Sequence, residues 1–150
     1  MSVKLGLSAK LYYNGENGTY ESPNWQEISN AKDVTLSLES SEADVTTRAN
    51  GGWRATVGAL KDASVEFQMV WDPADTAFTK IRDAWLNGTG IELLVLDGDK
   101  DTSGNQGLRA TFAITRFNRN EPLEDAITVD VSAKPTYADH APEWVTMPLT

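Results

Sequence analysis

The residues whose spacing most suggests chemistry are Asp97-Gly98-Asp99-Lys100-Asp101, which place carboxylates at alternate positions as the opening of a calcium loop does. The pattern then departs. Thr102 stands where such a loop needs glycine for its sharp turn, and Leu108 stands where it needs a bidentate glutamate. Without that glutamate the ligand set is short, so the segment is read as a turn joining two strands, with weak divalent binding as the alternative. His140, the only histidine, lies between Asp139 and Ala141 in a proline-containing stretch and is read as a solvent-exposed loop residue, not as part of a Ser-His-Asp arrangement. One histidine and no cysteine leave nothing for a zinc site built on imidazole or thiolate. Gly104-Asn105-Gln106-Gly107 lacks the lysine and the following helix of a phosphate-cradling loop. The 22 acids single out no pair for glycoside chemistry. The expectation is a protein that is not an enzyme and takes no cofactor and no metal.

These groups would have to be positioned by strands. A chain of 150 residues is one domain by prior, long enough to bury a core without disulfides. Ala63, Val65, Phe67, Met69 and Trp71 alternate with Ser64, Glu66 and Gln68, and Val34, Leu36 and Leu38 alternate with Thr35 and Ser37. Ala110, Phe112 and Ile114 repeat the pattern, as do Ile127, Val129, Val131 and Ala133 against Thr128, Asp130 and Ser132. Ile91 to Leu96 is continuously apolar, which suits a strand covered on both faces. Lys10–Tyr13 and Trp25–Ile28 are weaker strands about a turn-rich Asn14–Gly18. One helix is predicted over about 73–87: Asp72 as N-cap, Pro73 at the first position, Gly88 as the stop, and a stripe of Ala74, Ala77, Phe78, Ile81, Ala84 and Trp85. The expected fold is mainly β, a β-sandwich or barrel with one lateral helix, in a single domain over 1–150.

The ends are expected to be extended arms, 1–9 and 136–150. The second carries Pro142 and Pro148 among Trp144, Val145, Met147 and Leu149, and either packs back on its own domain or reaches a neighbour. The start, Met1-Ser2-Val3-Lys4 into Leu5-Gly6-Leu7-Ser8, is read as carrying no signal peptide, and no membrane anchor is expected. The Asn-Gly-Thr sequons at Asn17 and Asn87 are accordingly read as turns. The formal charge of −9, spread along the chain, disfavours a general phosphate-binding face.

Between the two best strand patterns lies a polar segment, Glu39 to Asp62, read as a protruding β-hairpin arm. Val45–Arg48 and Trp53–Val57 are β-prone runs around Asn50-Gly51-Gly52, a type I′ hairpin signal. Glu39, Glu42 and Asp44 crowd the outgoing leg, Arg48 and Arg54 lie near the tip, Lys61 lies near the base of the return, and Trp53 is a natural anchor. Acids at one level and bases at another let such an arm pair head to tail with its own copy. The alternative is an ordinary surface hairpin whose aromatic lies on its own sheet.

The runs Trp25-Gln26-Glu27-Ile28, Ala31-Lys32-Asp33-Val34-Thr35-Leu36, Glu42-Ala43-Asp44-Val45-Thr46-Thr47-Arg48, Gly52-Trp53-Arg54 and Leu60-Lys61-Asp62 resemble the major tail tube proteins of long-tailed bacteriophages. The Asp72–Trp85 helix, with Asp75 and Phe78, and the apolar strand after Gly90 continue the likeness across about Gly6 to Ala133. The resemblance implies subunits joined into hexameric rings, stacked into a hollow conduit for DNA ejection in the virion tail. It implies tape-measure, tail-initiator and tail-terminator partners, assembly in the bacterial host cytoplasm, and DNA only as non-specific passing cargo. In that family a long loop or hairpin reaches the adjacent ring, and Glu42 to Trp53 match it here. Candidate lumen-facing sets are Ser64, Glu66 and Gln68, or Thr128, Asp130 and Ser132, because each lies on a polar strand face. Two other readings stand beside it: a tube subunit of a secretion or contractile injection system, and a carbohydrate-binding β-sandwich displaying Trp25, Trp53 and Trp144 on loops.

Overall fold

The computed structural model of the chain describes residues 3–148, so the outermost two residues of each expected arm lie outside the described residues. Eight strands form one antiparallel sheet: β1 (Lys10–Asn14), β2 (Trp25–Glu27), β3 (Ala31–Asp44), β4 (Thr56–Val70), β5 (Gly90–Leu96), β6 (Gln106–Asn120), β7 (Thr128–Pro135) and β8 (Glu143–Thr146). Among the described residues there is one α-helix, α1, which spans Thr76–Asn87 between β4 and β5. Strand order is β2-β1-β5-β6-β7-β4-β3, with β8 beside β6. The mainly-β fold with one helix is the expected class.

The two edge strands, β2 and β3, are consecutive in the chain and joined by Ile28–Asn30 alone, so the sheet must curl until its edges approach. It does not close into a barrel. β2 is three residues long, and β3 begins with a register shift between Lys32 and Thr35, where Asp33 adopts φ 54°. The concave side holds the core: Val65, Phe67 and Met69 of β4, Leu93 of β5, Phe112 of β6, and Val129 and Val131 of β7. Period-two alternation was legible for β4, β6 and β7 because one face meets this core and most of the other meets water.

The helix fills the open side of the curl with Ala77, Phe78, Ile81 and Ala84. Phe78 meets Trp71 edge-on at 4.8 Å between ring centroids and Phe117 at 5.7 Å. Two details differ from expectation. The N-cap is Asp75, whose carboxylate accepts the Phe78 N–H at 3.1 Å, whereas Asp72 accepts the Ala74 N–H in a separate turn before the helix. The buried stripe also stops at Ala84: Ala74 precedes the helix, and Trp85 in its last turn is exposed. Spacing sets where a side chain points, not whether a partner lies there.

A second apolar cluster on the outer side explains the continuous run of β5. Ile91, Leu93 and Val95 face the core, while Leu94 and Leu96 pack with Tyr12, Val145 and Met147. The last two come from the C-terminal segment. β7 pairs with β6 only from Phe112 onward, leaving Gln106–Arg109 an unused edge that β8 takes. Of the two courses open to this segment, Glu143–Met147 packs back on its own domain.

Candidate assembly surface

β3 and β4 run on past the core as a two-stranded ladder, from Glu39 opposite Asp62 to Asp44 opposite Thr56. No residue from Ala31 to Asp62 is buried. A bulge interrupts the ladder where Ser41 faces Ala59 and Leu60, and the Ser41 hydroxyl accepts the Leu60 N–H at 2.9 Å.

The tip departs from the predicted type I′ turn. Strand pairing gives way after Val45, because the Thr46 hydroxyl accepts the Ala55 N–H at 2.8 Å in place of a backbone carbonyl. Arg48–Asn50 then form a 3-10 turn capped by Thr47. The left-handed positions that follow are Gly51 (φ 62°) and Gly52 (φ 88°), and Asn50 is not among the residues with positive φ. Two consecutive glycines let the chain reverse one residue later than the Asn-Gly signal implied. Val45–Thr47 and Trp53–Ala55 are therefore loop and Arg48 belongs to the 3-10 turn, so none of them is strand.

The charge arrangement read from sequence survives this change. Glu39 sits opposite Asp62 at the base and Glu42 opposite Gly58 in mid-arm. Asp44 accepts the Thr46 N–H at 2.9 Å, and bonding from the Thr46 side chain and backbone holds its pKa below the ordinary value. Arg48, Trp53 and Arg54 line one concave patch at the tip, while Asn50 and Gly51 shape the turn that carries it. Among the described residues none of the arm's charged side chains forms an ion pair. Trp53 is 79% exposed and Leu60 78%, so the aromatic does not lie on its own sheet.

The two candidate lumen sets turn out to be one surface. Glu66 pairs with Ser132 and Gln68 with Asp130 in the ladder between β4 and β7, which puts Ser64, Glu66, Gln68, Thr128, Asp130 and Ser132 on the same outer face. Asp130 accepts from Gln68 at 3.1 Å and from Asn120 at 2.8 Å; these bonds, that from Asn120 foremost, lower its pKa. Lys32, opposite Gln68, and Arg116, opposite Ser132, share this face, so it is mixed in charge rather than acidic.

The profile of the family described as "Phage tail tube protein" matches residues 11–136, spanning the sheet, the helix and the whole arm. The chain belongs to the phage tail tube protein family. It is a structural subunit of a tail tube and not an enzyme. Among solved structures it is similar to a chain from the tail of an empty gene transfer agent particle, refined with helical and C6 symmetry: TM-score 0.71 at 20% identity over 91% of this chain and 96% of that one. It is also similar to the SPP1 tail tube, with TM-score 0.69 at 14% identity over 88% and 75% of the two chains. A chain of the six-fold symmetrised anti-feeding prophage baseplate gives TM-score 0.61 at 10% identity over 99% and 100%. At these identities the likeness is one of fold. No curated protein matches the chain.

The remaining motifs of this tail tube subunit have structural uses. Asp97 accepts the Gln106 N–H at 3.0 Å and Asp99 the Asp101 N–H at 2.8 Å, so the alternating carboxylates fold their own turn. His140 is exposed as expected, yet stacked on Tyr20 at 3.5 Å between centroids. Beneath Tyr20 lies Arg109, 4% exposed, bonded to Glu92 at 3.1 Å and to the Tyr20 carbonyl at 2.7 Å. The Tyr20 hydroxyl donates to Glu143 of β8, and that bond foremost, with burial, raises the tyrosine pKa. This stack pins the C-terminal segment. Its members are scattered in sequence and carried no local signal. Trp25 and Trp144 lie on β2 and β8 rather than in loops.

Proposed function

We propose that this subunit assembles into hexameric rings stacked as the tail tube of a virion, with the Glu39–Asp62 arm joining one ring to the next. The observation that carries this reading is the arm itself: a ladder with a shaped tip, no buried residue, and apolar Leu38, Trp53, Val57 and Leu60 left in water. A single chain gains nothing from exposing that set, whereas a copy docked on it would bury it. Ring order is carried over from the C6 symmetry of the gene transfer agent tail to which the fold is similar. The face bearing Ser64, Glu66, Gln68, Thr128, Asp130 and Ser132 is proposed to line the bore; with Lys32 and Arg116 beside Glu66 and Asp130 it would give passing DNA no strong field to bind. Assembly in the host cytoplasm, on a tail initiator, around a tape measure and closed by a terminator, belongs to the same proposal.

Electron microscopy of concentrated full-length protein, alone and with its initiator and tape-measure partners, is expected to give hollow tubes with six-fold cross-sections. Monomers under all these conditions would sink the proposal. The fold match to the anti-feeding prophage baseplate chain supports a second reading, a tube of the injection type. Neighbouring genes for capsid and terminase favour the virion tube, and genes for a secretion baseplate favour the other.

A further inference from the structure

The two ends of β4 differ in charge, and each carries a large apolar side chain in water. Before its start lies the arm tip, where Arg48, Trp53 and Arg54 line a concave patch that has no acidic residue in its wall. The nearby Asp44 carboxylate is engaged by the Thr46 N–H. At the other end Val70 pairs with Thr128 and the Trp71 N–H donates to the Ile127 carbonyl, which places the β6–β7 loop, 121–127, beside the end of β4. That loop reads Glu121-Pro122-Leu123-Glu124-Asp125-Ala126-Ile127, and Leu123 is 100% exposed. Glu121 is met by Arg119 at 3.3 Å, whereas Glu124 and Asp125 form no ion pair among the described residues. Asp125 accepts only the adjacent Ala126 N–H, at 2.8 Å, and Asp72 adds a further exposed carboxylate one residue beyond Trp71. One end is thus basic around a tryptophan and the other acidic around a leucine.

We infer that the arm tip of one copy receives the 121–127 loop of a second copy, with Leu123 against the Trp53 indole while Glu124 and Asp125 face Arg48 and Arg54. This rests on the reading that the arm joins copies, and names the surface it joins to. A subunit cannot make the contact with itself: from Thr56 to Val70 β4 runs about 45 Å at about 3.3 Å per residue, with the tip beyond one end and the loop beyond the other. Two other large apolar side chains are about as exposed, Leu7 at 96% and Tyr137 at 97%, and neither is a match. Leu7 lies between Lys4 and Lys10 in the chain, the same sign as the tip. Tyr137 follows β7 past the Val65–Ala133 pair, at the arm's own end of the sheet. The groove at the arm's base, where Leu38, Leu108 and Trp144 meet, is no complement either: the register turns Glu39 and Asp62 to the opposite face and leaves Lys61 on the groove side. Tryptophan and arginine are enriched among residues that dominate interface energy, and opposite charges around them set partner and register. Because tip and loop are different surfaces at opposite ends, the contact is heterologous, and each docked copy presents a fresh tip for the next.

The test is charge reversal with rescue. Arg48→Glu with Arg54→Glu is expected to raise the protein concentration needed for tubes by about tenfold or more, since like charges then meet across the contact. Glu124→Lys with Asp125→Lys is expected to do the same. All four changes in one chain restore opposite charges and are expected to recover assembly to within a few-fold of the parent. The four residues are exposed, so melting temperatures should stay unchanged. Normal tubes from the arginine variant would overturn the arm's role altogether. A block in the arginine variant with no block in the loop variant, or no recovery in the four-fold variant, would overturn the loop as its receptor and leave the arm's role standing. The chain has no cysteine, which permits a second readout. Ala49→Cys at the tip and Ala126→Cys in the loop, joined by a short bismaleimide in assembled tubes, should give a covalent ladder beyond dimer that neither single variant gives. Tubes without that ladder would also overturn the loop.

Discussion

The inner and outer halves of one hairpin make opposite use of the same two strands. In the inner half β4 buries Ala63, Val65, Phe67 and Met69. In the outer half, beyond Asp62, it buries nothing, and Leu60, Val57 and Trp53 stand in water. Backbone pairing runs through both and is interrupted once in each, between Lys32 and Thr35 in the inner half and at Ser41 in the outer, so hydrogen bonding does not distinguish them. What differs is whether another element covers the apolar side. The inner half shares its core with α1, β6 and β7, whereas among the described residues the outer half has no buried side chain. Stability should therefore reside in one half and assembly in the other.

The largest test of that division compares two aromatics. Phe67→Ala is expected to cost about 3–5 kcal/mol of folding stability, from lost burial and the cavity left behind. Trp53→Ala should stay within about 0.5 kcal/mol by chemical denaturation, while weakening tube formation. A large folding loss for Trp53→Ala would break the comparison.

Charges should divide the same way. Arg109→Ala leaves the mostly buried Glu92 without its partner and is expected to cost about 3 kcal/mol, read from the denaturation midpoint. Arg48→Ala or Arg54→Ala, whose side chains have no ion-pair partner among the described residues, should leave that midpoint unmoved.

Capping gives a smaller effect. Asp75→Ala removes the acceptor for the Phe78 N–H and is expected to cost about 1 kcal/mol, seen as a lower melting temperature. Thr47→Ala removes the cap of the tip's 3-10 turn and should instead speed amide exchange at Ala49 without shifting global melting.

The smallest effect is ionisation. Asp44 and Asp130 both have pKa values lowered from the ordinary 3.8 by hydrogen bonds. For a depressed carboxylate, the stabilising contribution is present above the unfolded value and is lost as pH falls through the folded one. Carbon-detected NMR titration should find both titrating below the ordinary value, with Asn120→Ala moving Asp130 upward. Acidification through the Asp44 transition should perturb only resonances around Thr46, because that carboxylate bonds nothing outside the tip. A global unfolding step tied to Asp44 would contradict the division.

Much of the sheet was legible because strand alternation is a local consequence of having one covered face, as at Ala63 to Met69 and Val129 to Ala133. The arm was legible for the converse reason: a long β-prone, glycine-bearing insertion between two good strands has no local reason to be buried. The helix cap moved from Asp72 to Asp75 because two aspartates three apart each suit a cap, and only the packing of Phe78 against Trp71 and Phe117 selects between them. The tip turn was missed because a Thr46 side chain replaced a ladder bond, a competition that the Asn-Gly signal does not register.

By itself, then, the sequence determined the strands other than β8, the helix, the arm, and the order of acid, base and tryptophan along that arm, since each depends on residues close in the chain. The tertiary structure alone decided that Ser64–Gln68 and Thr128–Ser132 share one face, that Glu143–Met147 folds back onto the free edge of β6, and that Leu38, Leu108 and Trp144 meet in a groove. Those outcomes depend on which strand edges remain unpaired after the sheet has curled. That is a property of contacts between segments far apart in sequence, and no local periodicity encodes it.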